Sequence, residues 1–489
     1  MNRLLRLSLA AATALFLQTA LAQESGPEAG ADTSTDSSPA ANPGQAAATP
    51  PANARASTRG VRELIQRANA AYAAGEYPEM LEAMEQLHQL RPWNADYMAF
   101  LVIAYALNEE REKAYELMLT MQRQGLSWDF DQTEDTAFLR GTEAYEYIND
   151  VMVRAGEPAG EAALEFDLPG EILLPTAITW DPTREAFLVT TARDGAVYRV
   201  GTDGEVEKLL AADDDNGLWS LFGLTIDREN DRLWLTTAAS PNFIGFRQED
   251  AGRSAIVEVE LSTMKLLATH PVPAEGYPHR LADVVVAGDG NVYAIDTILP
   301  IIYRFDREEG RVRSYVASAD SDSFRALAVS DDGRMLYVSD YELGILALDL
   351  EGRQAHRVTG PETLNFGGIE GLEFWNGHLV VIQNGNRPHR VMRLGLADDR
   401  RTIDSVAPLA VAQPFFDYPN FGTIVGGKLY FFANSHWVSG DEELDPVRVA
   451  STDVASAPEL VAPDVQKFWE EYYEQTGQQP PVEGAPSGP

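Results

Sequence analysis

The sequence predicts a mainly β protein, a six-bladed β-propeller with an N-terminal α-helical module before it. Three observations support this fold class. Beyond residue 160, short Val-, Leu-, Ile- and Tyr-rich runs alternate in polarity and are separated by Asp-Gly, Asn-Gly and Gly-Gly turns. One such unit recurs six times along the chain, and a segment with helical periodicity precedes the first copy.

Composition and charge exclude several classes of function. The 489 residues contain 75 Asp+Glu against 38 Lys+Arg, so the formal net charge is −37. Nucleic acids and anionic lipids are bound through Lys and Arg, so neither nucleic-acid binding nor a polybasic membrane anchor is expected. The chain has no cysteine, which excludes disulfides, thiolate zinc sites and a cysteine nucleophile.

The first 22 residues have the pattern of a secretory signal peptide. Arg3 and Arg6 precede a short apolar run that ends in an A-x-A site at residues 20–22. An N-terminal membrane anchor is the alternative, but a membrane span needs about 20 apolar residues. No later segment has 18 uninterrupted apolar residues, so we expect a soluble periplasmic or secreted protein with no membrane span after cleavage.

Two further segments are predicted to be disordered. Residues 23–60 contain no Val, Ile, Leu, Met, Phe, Trp or Tyr. Such a segment cannot bury enough apolar surface to offset the entropy of ordering, so it is interpreted as a flexible linker. Residues 474–489 have a similar composition and are interpreted as a tail.

Residues 61–158 are predicted to form the helical module. The segments Ala70–Leu81 and Ile103–Ala114 are similar to one another, and Tyr72 and Tyr105 are 33 residues apart. This resembles tetratricopeptide repeats, whose period is about 34 residues. The resemblance implies a groove for a protein partner, whereas the alternative is a helical spacer packed on the next domain. Thr133–Arg154 is expected to add a capping helical pair.

Residues 162–455 contain the six copies of the β unit. Each copy has two apolar runs joined by a turn and ends in a small polar residue, expected to cap the strand end. The copies are Ala177–Thr191, Gly223–Thr237, Asp283–Asp296, Ala326–Asp340, Gly371–Asn384 and Phe421–Asn434. Units of about 40 to 60 residues are typical of propeller blades, whereas a β-sandwich would not explain sixfold repetition. Ala162–Leu168 is expected to close the ring beside Val447–Thr452.

Several motifs in this region resemble one family. They are AITWDP, VSDDGRMLYVSDYELGI, IEGLEFWNGHLVVIQNGNRPHRVMRL and ANSHW. They are similar to the senescence marker protein, gluconolactonase and luciferin-regenerating enzyme superfamily of six-bladed propellers. The resemblance covers residues 162–452. It implies a ligand site at one mouth of the central channel, with a divalent cation, usually calcium, that serves lactone hydrolysis.

The inner strand of each blade lines the channel, so equivalent positions in the six copies form rings. One ring contains Thr176, Phe222, Ala282, Arg325, Glu370 and Asn420. Polar residues are concentrated on blades three to six, and the predicted ligand-binding residues are Asp283, Arg325, Glu370 and Asn420. His279 precedes the third blade's inner strand. It is a candidate ligand-binding residue or general base, and the alternative is a structural loop histidine.

The family resemblance also implies a ligand set for the metal, and this sequence departs from it. Thr176 or Pro175 stands where a Glu is expected, and Ala282 and Arg325 stand where two Asn are expected. Glu370 stands where an Asp is expected, and it is the only one of these residues that supplies the expected carboxylate group. Calcium takes six to eight oxygen ligands, and a guanidinium supplies none. Glu370 and Asp283 are therefore only weak metal candidates.

Three interpretations of the channel follow. In the first, the protein binds a small polar ligand there without metal-dependent catalysis, and Arg325 contacts a carboxylate of that ligand. In the second, it is a calcium-dependent hydrolase of lactones or related esters. In the third, Arg325, Glu370 and Asp283 form a purely structural salt-bridged cluster.

Overall fold

A computed structural model describes residues 52–202, 204–273, 276–318, 321–437 and 444–455, with side chains from Gly60 onward. The predicted signal peptide, most of the predicted linker and the predicted tail lie outside these residues. Within them the chain forms a helical module followed by a six-bladed β-propeller, as the sequence predicts. No helix in the described residues has the length and apolar character needed to cross a membrane.

The helical module contains five α-helices in the described residues. They are α1 (Ala52–Ala74), α2 (Tyr77–Leu90), α3 (Ala95–Leu107), α4 (Arg111–Arg123) and α5 (Glu143–Arg154). The first begins within the segment predicted to be a linker. The helices α1 to α4 pack as consecutive neighbours, which suits two helical pairs, but their identity as tetratricopeptide repeats stays a prediction.

Helix boundaries follow from capping residues. The Asn94 side chain accepts the backbone N–H of Tyr97 at the start of α3, and Thr142 accepts that of Tyr145 at the start of α5. The predicted capping pair is wrong in detail. Between α4 and α5 the chain forms two short 3₁₀ turns, Phe130–Gln132 and Glu134–Leu139, so only one α-helix follows there.

The chain enters the propeller through two short strands and then builds the blades in order. The entry strands are β1 (Ala159–Gly160) and β2 (Ala163–Asp167). Blade one has β3 (Pro175–Asp181), β4 (Ala186–Thr191), β5 (Ala196–Val200) and β6 (Val206–Ala211). Blade two has β7 (Ser220–Asp227), β8 (Arg232–Ala238), β9 (Ser254–Glu260) and β10 (Lys265–Pro271). Blade three has β11 (Leu281–Val286), β12 (Val292–Asp296), β13 (Ile301–Asp306) and β14 (Arg311–Ala317).

The remaining three blades repeat the same antiparallel order. Blade four has β15 (Phe324–Val329), β16 (Met335–Asp340), β17 (Gly344–Asp349) and β18 (Gln354–Arg357). Blade five has β19 (Ile369–Trp375), β20 (His378–Gln383), β21 (Arg390–Leu396) and β22 (Ile403–Val411). Blade six has β23 (Asn420–Val425), β24 (Lys428–Phe432) and β25 (Arg448–Asp453), with β2 as its outermost strand. Apolar side chains of adjacent blades pack together, so the core lies between the sheets.

The ring closes through the strand predicted for that role. β2 pairs antiparallel with β25, with Ala163 opposite Ser451 and Asp167 opposite Arg448. β1 adds to the outer edge of blade five by pairing with β22. The last blade is therefore completed from the N-terminal side, and its outer edge is not left unpaired.

Every inner strand carries a β-bulge at the same place, just after its first ladder pair. In blade four, Phe324 pairs with Asp340 and Leu327 with Val338, so two residues oppose one. The bulge residues of blades one to six are Thr176, Phe222, Ala282, Arg325, Glu370 and Phe421. The first five are the predicted ring. The sixth is a correction, because Asn420 is paired with Phe432 in the ladder and Phe421 takes the ring position.

Two of the terminal residues of the repeated unit cap turns, as predicted. Asp340 Oδ1 accepts the backbone N–H of Glu342 and of Leu343, each at 3.2 Å, and its Oδ2 accepts that of Asp322 at 2.9 Å. Asp296 accepts the N–H of Ile298 at 2.8 Å in the same way. These buried carboxylates organise the loops at the end of the blades where the inner strands begin.

The helical module docks on blades four and five at that same end. Trp93 packs on Phe366, with ring centroids 5.5 Å apart, and the backbone oxygen of Trp93 would lie 2.5 Å from a Cβ at Gly367. Arg91 pairs with Asp322 at 2.6 Å. These contacts join the module to the loops that lead into β15 and β19, so the module lies beside one mouth of the channel.

Candidate ligand site at the channel mouth

The six inner strands β3, β7, β11, β15, β19 and β23 contact one another in a closed ring. The bulge residues lie near the start of each strand, so they surround one end of the channel. We call this end the channel mouth. A bulge residue is left out of the regular ladder, and the local bend of the strand redirects its side chain. The channel mouth is therefore lined by residues that lie outside the regular strand pairing.

Arg325 is the central polar residue of the channel mouth. Its guanidinium carbon lies 5.1 Å from the centroid of the Tyr341 ring, and its Nε is 3.7 Å from Glu370 Oε2. That separation is too long for a hydrogen bond. The side chain is only 10% exposed, and its buried Nε has no hydrogen-bond partner among the described residues. The guanidinium of Arg325 is thus held by packing against Tyr341, and not by hydrogen bonds to the described residues.

The ring of Tyr341 packs against the guanidinium of Arg325. Its hydroxyl donates to Asn384 Oδ1 at 3.0 Å, which anchors the ring between blades four and five. Burial raises the pKa of Tyr341 well above its usual range, so the phenol stays neutral. A neutral ring beside a guanidinium is a favourable cation–π arrangement.

A second arginine, Arg280, lies close enough to affect this site. Its Nε donates to Thr297 Oγ1 at 2.8 Å, and its backbone N–H donates to Asp296 Oδ1 at 3.2 Å. Burial and the positive charge of Arg325 lower the pKa of Arg280, whereas Asp296 and Glu370 oppose the shift, and the result is about 10. Arg280 is therefore still cationic at neutral pH. It was missed as a site residue, although it directly precedes the inner strand of blade three.

Asp283 does not join the ion pair of Arg325 and Glu370, so the predicted three-residue salt-bridged cluster is wrong. Its Oδ2 accepts the backbone N–H of Leu327 at 2.7 Å, and its Oδ1 accepts that of Val284 at 2.8 Å. Burial raises the pKa of Asp283 to about 6. Its carboxyl group links blade three to blade four.

Glu373 is a second, partly buried acid, close enough to Asp283 to feel its charge, and it was not among the predicted site residues. It lies on β19, three residues beyond Glu370, and no hydrogen bond of its carboxyl group occurs among the described residues. Burial, and to a smaller extent the charge of Asp283, together raise its pKa to about 8. A second acid in the same short inner strand as Glu370 was the signal that could have identified it.

His279 and Asn420 are not brought together with Arg325. His279 is 4% exposed, its Nδ1 lies 2.8 Å from Asp296 Oδ2, and its ring meets Tyr303 edge-on. These side-chain contacts lie within blade three, and the backbone N–H of His279 donates to Gly252 O in blade two at 2.9 Å. Asn420 is 5% exposed, and its Oδ1 has no hydrogen-bond partner among the described residues. No hydrogen bond or ion pair joins either residue to Arg325 or Glu370 within the described part of the chain.

The other side of the channel mouth is aromatic. Phe222, the bulge residue of blade two, is 8% exposed, and its ring centroid lies 6.2 Å from that of Trp437. Trp437 belongs to the loop after β24 in blade six, and its indole Nε1 donates to Pro175 O in blade one at 3.4 Å. Trp437 therefore reaches from blade six across the inner strand of blade one to blade two. Leu174 packs against the same cluster.

The residues at the channel mouth do not fit the calcium ion that the family resemblance implies. Thr176 uses its hydroxyl to donate to Leu221 O at 2.8 Å, and Ala282 has no oxygen in its side chain. Arg325 places a fixed positive charge beside Glu370, the one carboxylate of the bulge residues. Among the described residues, no group of three or more His, Cys, Asp or Glu side chains is arranged to hold a metal. Calcium needs six to eight oxygen ligands.

No protein-family model and no curated protein matches this chain. Solved structures with a similar fold include a luciferin-regenerating enzyme, 12% identical, with 63% of this chain and 98% of that one aligned at a TM-score of 0.43. A gluconolactonase from Xanthomonas campestris is 14% identical, with 61% and 89% aligned at 0.40. A calcium-binding protein, regucalcin, from Agrobacterium tumefaciens is 13% identical, with 61% and 96% aligned at 0.41. At such low identity, site residues cannot be transferred from these proteins.

Proposed function

We propose that this protein binds a small polar ligand with an acidic group at the channel mouth, and that it does so without metal-dependent hydrolysis. One observation carries the proposal. Arg325 is almost completely buried, held against Tyr341, and forms no hydrogen bond with the described residues. A guanidinium presents five donors in a planar fork that matches a carboxylate or phosphate. A bound acid would satisfy donors that the protein leaves free.

Two cations at the channel mouth are available to an anionic ligand. Arg280 and Arg325 are positively charged, and the carboxylates of Glu370 and Asp296 lie close to them, that of Asp296 engaged by backbone N–H groups. These cations contrast with the formal net charge of −37 for the whole chain. An acidic ligand would enter against the general field, and its affinity would therefore come from contacts at the channel mouth.

The hydrolase interpretation has less support. A calcium-dependent lactonase needs oxygen ligands around the ion, and at this channel mouth a guanidinium stands in their place. Arg325 would repel the ion as well as fail to bind it.

A protein partner for the helical module stays a separate prediction. Helix α3 is buried on nearly all sides, and Asn365 of the propeller reaches Gln124 at 2.9 Å beside it. The propeller therefore already covers part of the surface of the helical module. A partner would have to use the outer surface, where Tyr147 on α5 is 52% exposed. Export to the periplasm or outside the cell likewise remains a prediction from the sequence.

The proposal is tested by calorimetric titration of the full chain with gluconate, lactate and 3-phenylpropionate, each compared with its neutral amide. We expect at least one acid to bind and its amide to bind at least tenfold more weakly, about 1.4 kcal/mol. Arg325→Gln should reduce acid binding at least as much, because it removes the charge and the fork. Arg311→Gln, on the outer strand of blade three, is the matched control and should have no effect.

Two results would contradict the proposal. In one, no acid binds, or Arg325→Gln binds acids as well as the unaltered protein does. In the other, calcium stabilises the metal-stripped protein and lactones are then hydrolysed. Saturating calcium at about 100 times its Kd would stabilise the native state by about 2.7 kcal/mol, which is readily measured by thermal unfolding.

A further inference from the structure

We propose that the ligand is amphiphilic, with an acidic group that contacts Arg325 and Arg280 and an apolar, preferably aromatic, body that packs on Phe222 and Trp437. This inference rests on the proposed function and names its ligand class. It follows from the distribution of side chains around the channel mouth, which is polar on one side and aromatic on the other.

The arrangement of the blades sets these two sides against each other. In a ring of six, blade one faces blade four and blade two faces blade five. Trp437 lies over the inner strand of blade one, opposite Arg325 in blade four. Phe222 in blade two lies opposite Glu370 in blade five. A ligand that spans the channel mouth therefore meets an arginine at one end and an aromatic surface at the other.

The aromatic side is not part of the core between blades. Phe222 and Trp437 form a separate small cluster with Leu174, Ala192 and Ala238, away from the large clusters that hold adjacent sheets together. Trp437 is only partly buried, and its one indole hydrogen bond, 3.4 Å long, is weak. An apolar ligand body would cover the part of this surface that the protein itself leaves exposed.

A small residue stands between the two sides in blade order. Ala282, the bulge residue of blade three, lies between Phe222 and Arg325. Its side chain is a single methyl group, the smallest among the bulge residues. Its carbonyl oxygen is already bound by the Thr236 hydroxyl, so this stretch offers no strong acceptor for a polar ligand body.

A ligand with hydroxyl groups all around its body is a poorer match. Packed on Phe222 and Trp437, such hydroxyls would lose water without gaining hydrogen-bond partners, which opposes binding. A phenyl or indole body has no such groups and pairs well with aromatic side chains. The acidic group and the apolar body together therefore distinguish this ligand class from sugar acids.

The test compares 3-phenylpropionate with gluconate, two carboxylates that differ in their bodies, by calorimetric titration of the full chain. We expect 3-phenylpropionate to bind at least tenfold more tightly. Trp437→Ser should weaken 3-phenylpropionate at least fivefold and change gluconate less than twofold. Trp375→Phe, at the far end of inner strand β19, is the matched control and should change neither.

Each outcome separates this inference from the proposed function. Equal binding of the two acids, unchanged by Trp437→Ser, would overturn the amphiphilic ligand and leave the acid-binding site standing. No binding of either acid would overturn the proposed function and this inference with it. If Trp437→Ser unfolds, Phe222→Leu replaces it, since leucine keeps the cluster apolar but removes the aromatic face, and 3-phenylpropionate should again weaken while gluconate does not.

Discussion

Replacing Glu373 by glutamine should remove a large part of the pH dependence of stability near neutrality. Burial and, to a smaller extent, the charge of Asp283 together raise the pKa of Glu373 to about 8, whereas the unfolded chain has the ordinary value of 4.5. Between these two values the native protein holds a proton that the unfolded chain has released. The native state therefore loses stability as pH rises through this window, at up to about 1.4 kcal/mol per pH unit.

The expected magnitude follows from these two pKa values. From pH 6 to pH 7.5 the unfolded chain stays ionised at this position, and the native carboxyl is still mostly protonated. Linkage then predicts a loss of about 2 kcal/mol from this one residue. Asp283, whose pKa burial raises to about 6, contributes mainly below pH 6 and so falls outside this interval. Glutamine keeps the shape and hydrogen-bonding capacity of a protonated Glu373, so the variant should lack that loss.

The measurement is urea unfolding of the full chain at pH 6, 6.5, 7 and 7.5, followed by tryptophan fluorescence. Glu373→Gln should gain stability relative to the unaltered protein progressively across this series. Glu308→Gln, on an exposed turn of blade three, changes the net charge equally and should give a curve parallel to that of the unaltered protein. If the Glu373→Gln curve is also parallel, the carboxyl is not protonated in the native channel and the reasoning is refuted.

Two further predictions concern the architecture. Gly367→Ala should destabilise the docked helical module by about 1–3 kcal/mol, because the new Cβ would lie 2.5 Å from the Trp93 carbonyl oxygen. The control, Gly170→Ala, has open space around the new Cβ and should be neutral. Equal melting temperatures for the two variants would contradict the docking. Asp340→Ala should cost about 3 kcal/mol in urea unfolding, since three backbone N–H groups lose their acceptor. The control is Asp398→Ala, at an exposed position. If Asp340→Ala destabilised the protein as little as this control does, Asp340 would not have a capping role.

Much of the propeller could be predicted because blade formation is a local property. Alternating apolar residues and tight turns define each hairpin, and five of the six bulge residues follow from aligning the copies. The sixth copy was misaligned by one residue because its ring position was counted back from Gly422, whereas Asn420 pairs with Phe432 and Phe421 is the residue left out of the ladder. Register depends on which residues pair across the sheet, and that pairing is seen only in the folded blade.

The chemistry of the channel mouth was predicted only in part. Arg325 and Glu370 were identified because they share one position of the repeated unit. Arg280 and Glu373 were not, since each reaches the site from a position outside the aligned ring. The spacing of Asp283 along the strand could not reveal that its carboxylate accepts two backbone N–H groups. Burial and side-chain direction decide such contacts, and both emerge only when the blades are assembled.

The docking of the helical module lay further beyond sequence reasoning. Arg91 bonds to Asp322, and Gln124 bonds to Asn365, although more than 200 residues of chain separate the partners of each pair. The sequence offered two alternatives, a partner groove and a spacer packed on the next domain. Nothing local in Trp93 or Gly367 indicated that they would meet.

The closing strand has a consequence for the order of events during synthesis. β2 is made before any blade is complete, yet its partner β25 is the last strand of the propeller, and Glu165 and Ser451, which bond across this pair, are 286 residues apart. While the ribosome makes the blades between them, β2 has no partner and the growing sheet array stays open. Ring closure must therefore wait until β25 has been made, and it has the high contact order of a slow, late folding step. Chains that stop short of β25 would expose two strand edges and be prone to aggregation.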